Sequence, residues 1–153
     1  MSDFINRIYY QKGFDYQLVR PYTVETGITI PHAVSAPFIY VSPGGRLTLD
    51  AGWAWDGISG ARDTPDGMRG SCGHDAFYKL FRLEELSLAL RDEVDDVFHV
   101  HCIEDKMLPL RADIFRGVLR ILGDDAADPK NIKEVFVAPR LEVKEDKDPE
   151  YTW

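Results

Sequence analysis

The sequence predicts an α+β fold: a small antiparallel sheet from the N-terminal half packed on about three helices from the C-terminal half. Three observations predict it. Residues 16–50 are rich in β-branched and aromatic residues broken by Gly and Pro. Residues 72–123 carry apolar side chains at helical spacing. Between them, residues 51–73 hold six glycines and two tryptophans, a composition that suits neither a long strand nor a long helix.

The elements follow in order. Residues 16–20 and 22–26 read as short strands around Pro21, which marks an edge or a bend. Phe38-Ile39-Tyr40-Val41-Ser42, the turn Pro43-Gly44-Gly45 and Arg46-Leu47-Thr48-Leu49-Asp50 read as a hairpin. Residues 51–73 are expected as a long loop of functional character. Ser71 is a candidate N-cap for a helix over 72–81, with Ala76, Phe77, Leu80 and Phe81 inward. A second helix is predicted over 87–104, inward through Leu90, Val94, Val97 and Phe98. A third begins near Pro109 and is expected to end at Gly123. Residues 134–139 read as a strand that rejoins the sheet. Residues 1–143 are expected as one domain, and the charge run of 144–153 as an acidic tail. Trp153 suits a frayed end or a docking contact.

Composition narrows the function. The 153 residues are 44% hydrophobic and 29% charged, which argues against disorder and against a collagen-like chain. No apolar run approaches the roughly 20 residues of a membrane-spanning helix. The first residues, Met1-Ser2-Asp3-Phe4-Ile5-Asn6-Arg7, lack a secretory pattern. A net charge of −8 argues against a nucleic-acid partner. Cys72 and Cys102 are expected as reduced, buried thiols.

Three features could carry chemistry. His74-Asp75 offers an imidazole and a carboxylate to one metal ion, or caps and hydrogen-bonds a helix start. Asp95 and His99 stand at i and i+4, with Cys102 a turn further. They would chelate a divalent ion or pair with each other; Asp92 and His101 point elsewhere on the wheel. The glycine-rich stretch crowds Asp56, Ser59, Arg62, Asp63, Arg69 and Ser71 ahead of the His-Asp pair. It is neither a phosphate-binding P-loop, a dinucleotide fingerprint nor a nucleophile elbow. Asp63 with Arg69 would also serve as an ion pair closing the loop. Trp53 and Trp55 alternate in an extended segment, so one is expected in the core and the other at a pocket or over the loop.

Several blocks together resemble the domain-of-unknown-function family 1353. They are Gly52-Trp53-Ala54-Trp55-Asp56-Gly57-Ile58-Ser59-Gly60, Asp63-Thr64 with Met68-Arg69-Gly70-Ser71, and Gly73-His74-Asp75-Ala76-Phe77-Tyr78. Arg91-Asp92-Glu93-Val94-Asp95 with Phe98, and the 116–123 stretch, are similar to its helices. The resemblance covers residues 47–123. It implies a protein of tailed bacteriophages or prophages, and emphasis on Asp56, His74-Asp75 and Asp95. Gly73 departs from the family's aliphatic residue at that place.

Two functions are expected from these residues. In the first, a metal-dependent hydrolase, Asp56, His74, Asp75 and Asp95 converge on one divalent ion (Zn, Mn or Mg). A spare carboxylate is the general base, and Arg62 or Arg69 steadies developing charge. In the alternative, a non-enzymatic virion or accessory protein, the His, Asp and Arg residues form a buried network. Its partners would be other virion subunits or a second copy, in the host cytoplasm or the virion. An inhibitor acting on a host protein through its acidic surface ranks third. Convergence of the four residues on a cleft favours the hydrolase. Closure of Asp95 onto Arg91 favours the network.

Overall fold

The computed structural model describes residues 8–58 and 61–138. It has the α+β architecture expected, with the strands concentrated in the N-terminal half and three long helices after them. The main sheet has four antiparallel strands: β3 (Tyr22–Glu25), β4 (Val34–Ala36), β5 (Ile39–Val41) and β6 (Arg46–Leu49), in the order β3-β6-β5-β4. Alternation sets its inner face. Ile39, Val41, Leu47 and Leu49 point into the core, while Tyr40 and Thr48 pair on the other side. The β5–β6 hairpin is the one predicted.

Two further pairs are separate from this sheet. β2 (Tyr16–Gln17) pairs with β7 (Ala54–Trp55), and β1 (Ile8–Tyr10) pairs with β8 (Phe136–Ala138). The late strand therefore forms where predicted but joins β1 instead of the main sheet. The strand expected over 16–20 shortens to two residues. The expected tail, with Trp153, lies outside the described residues.

Helix α1 (Pro65–Arg82) begins much earlier than the glycines suggested. Thr64 is its N-cap and Pro65 its first residue, whose fixed φ suits that position. Ser71 is therefore a helix-interior residue and not the cap. The second half of the expected loop is helix because its glycines serve packing. A Cβ on Gly70 would meet Phe98 Cδ2 at 3.1 Å and Cys102 Sγ at 3.3 Å, on the neighbouring helix. Close approach of two helices outweighs the roughly 1 kcal/mol helix penalty of glycine.

The inner face of α1 (Ala76, Phe77, Leu80, Phe81) packs on Leu47, Leu49 and both tryptophans. Each large side chain buried here contributes about 1.5–3 kcal/mol. A short 3-10 turn over Leu88–Leu90 leads into α2 (Arg91–Glu104), which packs against α1. Helix α3 (Pro109–Ala127) runs past Gly123, its expected end. Gly123 is again a contact: a Cβ there would meet Tyr78 Oη at 2.5 Å and strike Arg91. Phe98, Cys102, Met107 and Ala112 form a smaller cluster between α2 and α3. Cys72 and Cys102 are free, buried thiols. Burial pushes both up to about 12, so neither is a nucleophile at neutral pH.

Candidate functional site

The site forms where β7 meets α1. Trp55 Nε1 donates to Ser71 Oγ at 3.1 Å, and Trp53 Nε1 to the Cys72 carbonyl at 3.3 Å. Both indoles are buried, so both are core residues, and both also border a small cavity, the pocket position expected of one of them. They hold the end of β7 on α1 and bring Asp56 against Asp75. The Asp56 N–H donates to Asp75 Oδ2 at 3.4 Å.

A cavity of about 320 Å³ opens here, lined by Asp56, His74 and Asp75 together with Tyr78 and Arg82. Phe98, Phe115, Val118, Leu119 and Leu122 make its apolar wall. A smaller cavity of about 50 Å³, floored by Trp53 and Trp55, lies on the other side. Asp56, Asp75, Arg82 and Lys133 line both cavities, so four charged groups stand at their junction.

Asp75 is the perturbed group. Its carboxyl is surrounded by protein and retains limited access to the cavities. Burial pushes its pKa up to about 6, and the neighbouring Asp56 charge adds to the rise. His74 and the Asp56 N–H act in the opposite direction. Asp56 itself pairs through Oδ2 with Lys133 Nζ at 3.0 Å. Its Oδ1 is buried and has no partner among the described residues. Arg82 is fixed by one bond, Nη1 to the Ala126 carbonyl at 3.1 Å. Burial lowers its pKa, as removal from water does for any cation.

Asp95 stands apart. It is fully buried and accepts from three side chains. His74 Nε2 lies 2.8 Å from Oδ1, Tyr78 Oη donates to the same oxygen at 2.8 Å, and Arg91 Nη1 donates to Oδ2 at 3.0 Å. Because the carboxylate only accepts, Nε2 of His74 carries the proton. Burial, with Asp95 beside it, raises the pKa of Tyr78 and keeps its hydroxyl a donor. Arg91 also reaches the Leu119 carbonyl at 3.0 Å and Asp124 at 2.8 Å, so the network ties α1, α2 and α3.

The predicted residues thus divide. Asp56, His74 and Asp75 share one cavity; Asp95 touches it only through His74 and Tyr78. Arg69 is elsewhere: its Nε donates to Asp105 Oδ2 at 2.9 Å and its Nη2 to Glu104 Oε2 at 2.7 Å. It clamps α1 to the end of α2 and does not face the cavity. The expected Asp63–Arg69 pair is not made, since Asp63 accepts from Tyr16 Oη at 2.6 Å and the Ile58 N–H at 2.7 Å. The i, i+4 chelate is not made either, because His99 turns to Asp113 at 2.7 Å and Asp95 to Arg91. His101 is buried, which lowers its pKa. Ser59 lies outside the described residues. Among the described residues, no group of three or more His, Cys, Asp or Glu side chains is placed to hold one metal ion.

Tyr78, Arg82 and Lys133 are site residues that sequence reasoning missed. Tyr78 and Arg82 stand four and eight residues after His74 on the same helix, a spacing that puts them on its face. Lys133 has no local signal, because it arrives from the segment before β8.

No family model, no curated protein and no solved structure matches the chain. The resemblance to the domain-of-unknown-function family 1353 therefore rests on the sequence motifs alone.

Proposed function

We propose that the junction of the two cavities is an acid–base hydrolytic site, with Asp75 as general acid and Asp56 as general base. One observation carries the reading: Asp56, His74 and Asp75 share a 320 Å³ apolar-walled cavity. Such a cavity with a few convergent polar groups, one of them perturbed, is where chemistry is expected.

The step is as follows. The Asp56 carboxylate takes a proton from water while the water oxygen bonds to an acyl carbon or phosphorus. The bond to the leaving oxygen breaks, and protonated Asp75 gives that oxygen its proton. Arg82 steadies the negative charge that develops. Lys133 holds Asp56 in place, and Asp95 fixes the His74 ring beside it. The divalent ion expected from the sequence has fewer donors than the sequence suggested. Asp95 is withdrawn into its pair with His74 Nε2, which leaves His74 Nδ1 and the carboxylates of Asp56 and Asp75.

The test is turnover of a panel of phosphoesters and carboxylic esters from pH 4 to pH 8 by the wild type and Asp75→Asn. Turnover should fall as pH rises through about 6, where Asp75 loses its proton. Asp75→Asn should lose about 10²–10⁴-fold. No turnover of any class, or an unaffected variant, removes the reading. Elemental analysis of both proteins runs beside it. One equivalent of zinc or manganese, lost in the variant, replaces the acid–base step with a metal-assisted one.

The non-enzymatic virion or accessory reading is favoured by the closed Asp95 network, which needs no ligand to be complete. It expects no turnover, and the protein in purified virions.

A further inference from the structure

The fully buried residues of helix α3 are all small (Ala112, Gly123 and Ala127), with Phe115 and Leu119 packed part-buried beside α2. Its outward side is apolar. Leu110 (73% exposed), Ile114 (56%), Val118 and Ile121 (79%) recur every three or four residues, and Leu122 (61%) widens the stripe. With Leu108 at the N-cap they expose roughly 600 Å² of apolar surface, the upper end of what a monomer shows. That is most of the about 800 Å² that one partner gives to a standard interface.

We propose that this stripe is the interface of a two-fold homodimer, with α3 of a second copy packed antiparallel across Gly117. Three features select a second copy. Gly117 sits mid-stripe, and a Cβ there would find nothing within 4 Å, so a second backbone can approach closely. An antiparallel crossing centred between Gly117 and Val118 lays Ile114 on the second copy's Ile121, so the stripe complements itself. The charges fit the same orientation. Asp124 and Asp125 lie near the C-terminal end of α3, where they pair with Arg91 and Lys130 of their own chain, and antiparallel packing keeps the two copies' aspartates apart, whereas parallel packing would set each against its own copy. Each chain carries a net charge of −8, but at physiological salt screening confines repulsion to charges within about 8 Å. Val118 and Leu122 also wall the 320 Å³ cavity, so the second copy would border its mouth.

Sedimentation velocity on the full chain tests this. At roughly 100 µM the wild type should sediment at twice the 17.4 kDa chain mass. Ile121→Glu should raise the dissociation constant at least about ten-fold while circular dichroism stays unchanged, since Ile121 is exposed. Adding Ile114→Lys to Ile121→Glu should restore the dimer, because the two positions face each other across the crossing and both are exposed. A wild-type monomer at that concentration overturns the proposal and assigns the stripe to another segment or another partner. A dimer indifferent to Ile121→Glu overturns it equally.

Discussion

Asp95 and Asp75 both lie beside His74, yet their surroundings differ. Asp95 is fully buried and receives three side-chain donors at 2.8–3.0 Å. Asp75 receives one backbone N–H at 3.4 Å and faces two cavities. The first carboxylate has both oxygens engaged by donors from three side chains. The second is short of donors, so burial raises its pKa and leaves it free to exchange a proton. Two carboxylates beside one histidine can thus sit in opposite environments, and the donor count separates them.

The largest expected effect comes from Asp95. Asp95→Asn removes the charge facing the buried Arg91 and should cost roughly 3–5 kcal/mol in urea unfolding. A loss below about 1 kcal/mol would show that the network contributes little.

The next effect has the opposite sign. The folded-state pKa of Asp75 lies above its unfolded value of 3.8, at about 6. The folded protein therefore binds this proton more tightly, and stability falls as pH rises from about 4 to about 6. Above pH 6 the charged group costs roughly 2–3 kcal/mol, which Asp75→Asn should recover. Unfolding at pH 4 and pH 7 checks it: the gain should appear only at the higher pH. A variant that is destabilised at pH 7 would put Asp75 in the structural class with Asp95.

The smallest effect sharpens the contrast from the donor side. Gly123→Ala drives a methyl into Tyr78 and Arg91, two of the three donors to Asp95. It should cost about 1–3 kcal/mol. Gly117→Ala on the same helix meets no atom of its own chain and, in protein dilute enough to keep the proposed dimer dissociated, should gain up to about 1 kcal/mol. Thermal unfolding of the two variants, side by side, reads the difference.

The legible parts of the fold were those set by local pattern. β-Branched and aromatic composition around the Pro43-Gly44-Gly45 turn revealed the β5–β6 hairpin, and helical spacing revealed α2 and α3. The start of α1 and the end of α3 were hidden for one reason. Gly70 and Gly123 are placed by contacts with α2 and Arg91, and a distant contact leaves no mark on local composition. The site was half legible. Asp56, His74 and Asp75 were found from residue type and order. The separation of Asp95 from them depends on Tyr78 and Arg91 reaching it across helix interfaces. Arg69 misled because its partners, Glu104 and Asp105, lie more than thirty residues later.

The β1–β8 pair has a consequence for how the molecule matures. Gln11 donates to the Lys133 carbonyl across 122 positions of chain, and Lys133 in turn donates to the Gly13 carbonyl at 3.1 Å. Contacts so distant in sequence carry a large loop-closure entropy and form late in folding. Lys133 is also the cation held against Asp56. During synthesis, Asp56 therefore waits for its counter-ion until nearly all the described chain has emerged.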